Sequence, residues 1–199
     1  MNNNPQNKNK VSVRAESGGH SFCIDSLSGE ILDGKCGVEF CIVTHKTVLV
    51  PDEIFETSSA ARYLSVAGVP CAGDEEPLCV SEGGITAVMA VSERFMADVG
   101  RRLGGRASFT SPLLGDCGHN GRRVQIETLG DVSFFKVGDN GRLRFAEALQ
   151  TDSADDILYY ANALDSRFGL NEYLIYICGD GAETTARLLS KYFSSVKCE

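Results

Sequence analysis

Few side chains in this sequence have the types and spacing of a catalytic site. The three histidines, His20, His45 and His119, fall in predicted turns or loops, far apart along the chain. The sequence contains neither a Gly-x-Ser-x-Gly nucleophile motif nor a Walker-type Gly-x-x-x-x-Gly-Lys-Ser/Thr motif. A Ser/His/Asp or Cys/His arrangement stays open at this point, although surface histidines are the simpler interpretation.

The carboxylates that most resemble metal ligands also have a structural explanation. Asp152, Asp155 and Asp156 stand at the start of a predicted helix, where N-capping and the helix dipole favour acidic side chains. We therefore interpret them as capping residues.

The cysteines do not indicate a zinc site. The chain has eight cysteines and no Cys-x-x-Cys, and Cys36 and Cys41 are five apart, which is poor spacing for a zinc knuckle. Cys23, Cys41 and Cys178 lie in predicted strands, where a thiol behaves as a small apolar group. We expect free, reduced thiols.

Composition narrows the functional class further. A net charge of −8 over 199 residues argues against a nucleic-acid-binding surface, which needs a basic stripe. No apolar run approaches the ~20 residues that cross a bilayer. Residues 1–10 form a polar stretch without the apolar segment of a secretory signal. These features predict a cytoplasmic protein with a frayed tail over residues 1–10 and no membrane insertion.

The second half of the chain gives the clearest pattern. Three apolar runs, Val124–Thr128, Val132–Val137 and Leu143–Leu149, are separated by short turns rich in Gly, Asp and Asn, which predicts an antiparallel meander. A helix follows, and its inward face is given by the spacing of Ile157, Ala161, Leu164 and Phe168, with Gly169 as its end.

A buried strand and another helix complete this half. Tyr173–Cys178 runs apolar without alternation, which is typical of a strand covered on both faces. Gly179-Asp180-Gly181 then turns the chain into a helix with Ala186, Leu189 and Phe193 inward, after which we expect no further strand. The order β-β-β-α-β-α is that of a ribonuclease H-like half-domain.

The first half reads in a similar way. Val11–Ala15 and Ser21–Ile24 predict a hairpin, and Val38–Thr44 is expected to pair with Thr47–Val50 across His45-Lys46. Later elements are predicted in this order: a helix over Ser58–Ala67, strands around Leu78–Val80 and over Ile85–Val91, a helix over Glu93–Leu103, a strand over Ala107–Thr110 and a brief helical stretch from Ser111 to Gly115. We therefore expect a first lobe over residues 11–118 and a second over 122–197.

Local strings add a resemblance to this pattern. Thr47–Phe55, with its Val-Pro-Asp-Glu, and Asp155–Tyr160, Asp-Asp-Ile-Leu-Tyr-Tyr, resemble a bacterial family of unknown function with an actin-like ATPase fold. So do Val11–Arg14, Ser21–Ile24 and Leu174–Gly179. The resemblance implies an α/β protein of two ribonuclease H-like lobes around a cleft, possibly in reduced form. It implies no reaction.

The actin-like fold implies where a nucleotide would bind. Such ATPases hold phosphates with one Asp-x-Gly hairpin per lobe, in which glycine admits backbone N–H groups and aspartate holds the metal or its water. In the first lobe, the corresponding positions are Glu16, Ser17, Gly18 and Gly19. In the second lobe they are Gly130 and Asp131, and Thr128 stands at the position where the fold would have its metal-binding carboxylate. Gly179, Asp180 and Gly181 stand where the adenosine-binding Gly-x-Gly lies in that fold.

Neither hairpin matches the pattern, and plain β-turns account for both. The sequence therefore favours a non-catalytic binding or scaffold protein with a protein partner and no cofactor. The alternative is a divergent nucleotide-binding ATPase or sugar-kinase-like phosphotransferase that uses ATP and Mg²⁺.

Overall fold

A computed structural model describes residues 10–16, 36–115 and 121–198. It divides into two compact units, one of Met1–Lys46 with Val50–Pro112 and one of Thr47–Leu49 with Leu113–Glu199. Among the described residues, no helix is long and apolar enough to cross a membrane. The architecture is mixed α/β, as the sequence predicts.

The second unit is built on a five-stranded sheet. Its elements are β7 (Arg122–Leu129), β8 (Val132–Asp139), β9 (Arg142–Gln150), α3 (Ala154–Phe168), β10 (Leu174–Gly179), α4 (Ala182–Leu189) and β11 (Val196–Cys198). The strand order in the sheet is β11-β10-β7-β8-β9. The strands β7, β8 and β9 pair antiparallel, whereas β10 pairs parallel with both β7 and β11. The predicted meander and the β-β-β-α-β-α order are confirmed.

Turn and cap residues set the limits of these elements. Gly130, with φ 61°, takes the first position of the two-residue β7–β8 loop, and Asn140 and Gly141 both have positive φ in the β8–β9 loop. The Ser153 hydroxyl accepts from the Asp156 N–H at the start of α3, and the Asp156 carboxylate accepts from the Asp152 N–H. Asp156 is therefore a capping residue, as predicted, and Gly169 ends the helix at φ 68°.

The core of the second unit lies between its sheet and the two helices. Ile175 and Ile177 are fully buried in β10 and belong to one apolar cluster with Leu164 of α3 and Leu189 of α4. The prediction that β10 is the buried strand packed by these two leucines is confirmed.

The first unit contains the remaining elements. They are β1 (Lys10–Glu16), β2 (Gly37–Val43), β3 (Thr47–Pro51), α1 (Ala60–Val66), β4 (Glu75–Glu82), β5 (Ile85–Ser92), α2 (Glu93–Arg102) and β6 (Ala107–Thr110), although Thr47–Leu49 of β3 group with the second unit. One sheet has the order β1-β2-β6, with both pairings parallel, and a second has the order β3-β5-β4.

The predicted pairing of Val38–Thr44 with Thr47–Val50 is wrong. The strand β2 pairs parallel with β1 and β6 instead, and β3 lies beside β5 in the other sheet. Phe40 explains the central place of β2, because its fully buried ring stacks on Phe109 of β6 and meets Phe95 of α2 edge-on. The expected partner of β1, Ser21–Ile24, lies outside the described residues.

Two smaller expectations are also wrong. The chain does have a strand after its last helix, since β11 pairs parallel with β10 and aligns Val196 with Ile175. The segment from Ser111 to Gly115 is a turn and not a helix, because a stretch this short rarely nucleates one and its position is set by the buried Leu113 and Leu114.

Candidate functional site

The carboxyl ends of β7 and β10 lie side by side in the five-stranded sheet. Parallel pairing sets Gly179 opposite Thr128, so that the turn after β10 lies beside the β7–β8 turn. Among the predicted site residues, this pairing brings together one set: Gly130, Asp131, Gly179, Asp180 and Gly181.

Two hydrogen bonds join these turns. The Asp180 N–H donates to the Thr128 carbonyl oxygen at 2.7 Å. The Gly130 N–H donates to Oδ2 of Asp180 at 2.9 Å. In a phosphate-binding hairpin the glycine N–H is a donor for the ligand. Here that donor is bound to a carboxylate of the same chain, in a charge-assisted bond.

Gly179 is required by the close approach of the two strands. Its φ is +87°, and a Cβ at this position would lie 2.1 Å from the Thr128 carbonyl oxygen. The structure therefore gives Gly179 a packing role that the sequence reasoning missed. Gly181, the N-cap residue of α4, has φ +67° but no heavy atom within 4 Å of its Cβ position, so only its backbone conformation favours glycine.

Thr128 takes part in a buried chain of hydroxyl groups. Its Oγ1 lies 3.0 Å from Oγ of Ser133, which lies 2.7 Å from Oγ1 of Thr151. All three residues are buried. These hydrogen-bonded hydroxyl groups link the end of β7, the start of β8 and the residue after β9. The contact of Ser133 with Thr128 could be predicted from the sequence, because a two-residue loop sets the two residues opposite each other. Nothing in the sequence indicates the part that Thr151 takes.

The tip of the hairpin is also fixed through its backbone. The carbonyl oxygen of Asp131 accepts from the Thr151 N–H at 2.8 Å, while the residue itself is exposed. The β7–β8 turn is thus held on one side by Asp180 and on the other by Thr151.

The remaining predicted site residues are only partly described. Glu16 is the last residue of β1 in the first unit, and Ser17, Gly18 and Gly19 lie outside the described residues. His45 lies between β2 and β3, whereas His20 and His119 are not described. Within the described ranges, no group of three or more His, Cys, Asp or Glu side chains is arranged to hold a metal ion.

The first unit contains a polar cluster that sequence reasoning missed. Lys46 Nζ lies 2.7 Å from Oε2 of Glu75, and the same oxygen accepts from the Ala72 N–H at 2.7 Å. Burial alone would raise the pKa of Glu75, but the Ala72 N–H and the Lys46 ammonium outweigh it and lower the pKa. The cluster attaches the loop before β4 to the turn before β3. Its partners are 29 residues apart, so no local motif indicates it.

The thiols of Cys36, Cys71 and Cys79 are free. Burial raises the pKa of the Cys79 thiol, and burial together with the Glu75 carboxylate raises that of Cys71. A raised pKa reduces the thiolate fraction, so neither residue has the environment of an activated nucleophile.

Comparison with known proteins identifies the fold. No protein-family model matches the chain, and no curated protein does. The chain is similar in structure to a Bacteroides thetaiotaomicron protein with an actin-like ATPase fold and unknown function, with a TM-score of 0.72, 15% identity, and coverage of 86% of this chain and 72% of that one. A second similar structure is the cytoplasmic domain of EpsL, an inner membrane component of the type II secretion system of Vibrio cholerae, with a TM-score of 0.43, 13% identity, and coverage of 85% and 81%. The first similarity, with the sheet order described above, shows that this chain has an actin-like ATPase fold.

Proposed function

We propose that this protein is a non-catalytic binding or scaffold protein of the cytoplasm that uses an actin-like ATPase fold to bind a protein partner. The observation that carries the proposal is the hydrogen bond of 2.9 Å between the Gly130 N–H and the Asp180 carboxylate. This bond gives the hairpin an internal anion where a nucleotide phosphate would otherwise be bound.

The chemistry of phosphoryl transfer supports the same conclusion. Transfer depends on positioning and on charge stabilisation by a metal that a carboxylate holds. The hairpin has Thr128 at that position, and its hydroxyl is already bonded within the buried chain. The Asp180 carboxylate also repels an approaching phosphate, and the net charge of −8 gives no general attraction for a polyanion.

A binding role needs exposed side chains that a partner can cover. Among the residues that the structure describes, four large apolar or aromatic side chains are more than half exposed: Ile54, Val66, Tyr159 and Tyr192. Tyrosine is enriched among residues that dominate the binding energy of protein interfaces. Tyr159 and Tyr192 are therefore the first positions to substitute in a search for the partner surface.

Isothermal titration calorimetry with ATP and Mg²⁺ tests the proposal. We expect no heat of binding below ~1 mM ATP and no ATP hydrolysis. A dissociation constant below ~10 μM, about −7 kcal/mol, would contradict the proposal and favour the divergent ATPase or sugar-kinase-like phosphotransferase.

Two variants show what excludes the nucleotide. Asp180→Ala releases the Gly130 N–H, and Asp131→Ala removes a neighbouring exposed carboxylate that has no bond to that N–H. Binding of ATP to Asp180→Ala alone would identify the internal carboxylate as the excluding group. If neither variant binds ATP, we would attribute the absence of nucleotide binding to the missing metal-binding carboxylate.

A further inference from the structure

The chain from Asp52 to Val66 in the first unit carries large apolar side chains that the fold leaves exposed. Ile54 ends a single turn of 3₁₀ helix (Asp52–Ile54) and is 64% exposed. Val66 ends α1 and is 81% exposed. A single exposed apolar residue needs no explanation, but these two lie in one short segment of the first unit.

Tyr63 of α1 connects the two ends of this segment. Its hydroxyl donates to the Ile54 carbonyl oxygen at 2.9 Å and accepts from the Glu56 N–H at 3.2 Å. Its ring lies 5.9 Å from that of Phe55. Val66 follows Tyr63 by three residues, which places both on one side of α1. Ile54 and Val66 therefore belong to one surface, which we call the 52–66 surface.

The backbone of the 52–66 surface is fixed by the rest of the first unit. The Asp52 N–H donates to the Gly84 carbonyl oxygen at 3.0 Å, and the Asp52 carboxylate accepts from the Thr86 hydroxyl at 2.6 Å. The fully buried Leu64 anchors α1 from its inner side. A side chain on a fixed backbone has less conformational freedom to lose on binding, so more of its burial contributes to affinity. The exposed position of Ile54 is thus set by the fold itself.

The charges beside these apolar side chains are negative. Asp52, Glu53 and Glu56 are exposed, and residues 47–61 contain no Lys or Arg. Within the described ranges, Glu53 takes part in no hydrogen bond and no ion pair. The Glu56 carboxylate accepts a long hydrogen bond, of 3.5 Å, from the Ser59 hydroxyl. Such a rim attracts cationic side chains and repels anionic ones.

We propose that the 52–66 surface binds a cationic segment of a partner protein, a step that rests on the binding function proposed above. The segment carries a large apolar side chain that covers Ile54 and Val66, and Lys or Arg side chains that neutralise Glu53 and Glu56. A second copy of this chain is disfavoured by the net charge of −8. An anionic lipid surface is disfavoured by the same carboxylates.

Selection from a phage-displayed library of short random peptides on the immobilised full chain tests the chemistry of the partner. The library offers every charge and polarity, so the recovered sequences report what the protein prefers. We expect them to be enriched in Lys or Arg together with large apolar residues, relative to the unselected library. Recovery of acidic or purely polar sequences, or of none above background, would overturn the proposal.

Substitutions locate the binding of the recovered peptides, which are synthesised and titrated with the full chain by fluorescence anisotropy. Ile54→Ser should raise the dissociation constant about tenfold or more, because it removes an apolar group that the peptide covers. Glu53→Lys sets a cation against a cation and should raise it about fivefold or more. Both positions are exposed, so circular dichroism should show both variants folded.

Glu183→Lys is the matched control, because it makes the same charge change at an exposed position of α4 in the second unit. It should leave the dissociation constant within about twofold of that of the natural protein. An equal loss with Glu183→Lys and Glu53→Lys would reduce the effect to net charge and overturn the proposal.

The remaining outcomes separate this surface from the proposed function. Loss of peptide binding with Tyr159→Ser or Tyr192→Ser, and none with Ile54→Ser, would refute the 52–66 surface and leave the binding function standing. Cosedimentation with anionic lipid vesicles that is lost in Ile54→Ser would identify a lipid surface instead and also overturn the proposal. Tight binding of ATP in calorimetry would contradict the proposed function itself.

Discussion

Substitution of Gly179 by alanine tests whether the ends of β7 and β10 must approach as closely as described. The new Cβ would lie 2.1 Å from the Thr128 carbonyl oxygen, 3.0 Å from its carbonyl carbon and 3.1 Å from its nitrogen. Backbone atoms cannot rotate away as a flexible side chain can, so the strands must separate. The separation would break the bond from the Asp180 N–H to that oxygen and loosen the one from the Gly130 N–H to the Asp180 carboxylate.

The expected cost follows from three contributions. A positive φ costs a residue with a Cβ about 1–2 kcal/mol. Loss of a neutral backbone hydrogen bond adds about 0.5–1.5 kcal/mol, and loss of one to a charged group adds about 1.5–3 kcal/mol. Gly179→Ala should therefore lower the free energy of unfolding by about 3–6.5 kcal/mol. Gly181→Ala should cost only the 1–2 kcal/mol that a positive φ imposes, roughly, because no atom lies within 4 Å of its Cβ position.

Urea denaturation of the two variants and the natural protein measures this difference. Gly179→Ala should lower the transition midpoint much more than Gly181→Ala, with similar slopes if both remain two-state. Equal losses for the two variants would refute the close approach, as would a loss below ~1 kcal/mol for Gly179→Ala.

Three other predictions concern the core, the polar cluster and the thiols. Ile175→Ala should cost about 2–5 kcal/mol by urea denaturation, since its side chain is fully buried; a loss under ~0.5 kcal/mol would place the strand at the surface. Because the pKa of Glu75 is lowered on folding, its contribution is present above about pH 4.3 and is lost as the pH falls further. The difference in unfolding free energy between the natural protein and Glu75→Gln should accordingly shrink in acid, and a constant difference down to about pH 3 would contradict this. Thiol counting under denaturing conditions without reductant should find all eight cysteines free, and six or fewer would refute it.

The second unit was predictable because its signals are local. Each turn in its meander uses residues that accept positive φ, and each helix carries an apolar face at regular spacing. Gly169 marks the end of α3 in the sequence as clearly as in the structure, where Ser153 is the N-cap residue at its start. The strand β11 escaped prediction because it has only three residues, and its partner β10 is distant in sequence.

The first unit was harder to predict because its pairings are not local. The strands β2 and β3 follow each other closely, so their sequence resembles a hairpin. In the structure, however, β2 pairs in parallel with β1 and β6. Parallel partners are separated by long connections, so turn chemistry carries no information about them. Contacts of Phe40 with Phe95 and Phe109 join positions that no short-range pattern relates.

The bond between the two turns was not predicted, although both of its residues were named from the fold analogy. Fold analogy identified Gly130 and Asp180, which the structure brings together, because the ends of parallel strands meet at one edge of a sheet. The hydroxyl chain through Ser133 to Thr151 depends on side-chain packing across three strands, which periodicity does not encode.

The bond between Asp180 and Gly130 also explains how such a hairpin can persist without a nucleotide. The backbone N–H of an exposed turn can donate its hydrogen bond to water. Where the end of a second strand lies beside the turn, a side-chain acceptor on that strand can take the place of the water. The Asp180 carboxylate provides that acceptor, and its own N–H simultaneously binds the Thr128 carbonyl oxygen. The two turns thus stabilise each other through one residue. In an ATPase, a bound phosphate would accept the hydrogen bond of the hairpin amide, and only while the nucleotide is bound. In this chain the Asp180 carboxylate accepts that hydrogen bond permanently. A protein whose turns are fixed in this way can present a constant surface to a partner, as the proposed scaffold role requires.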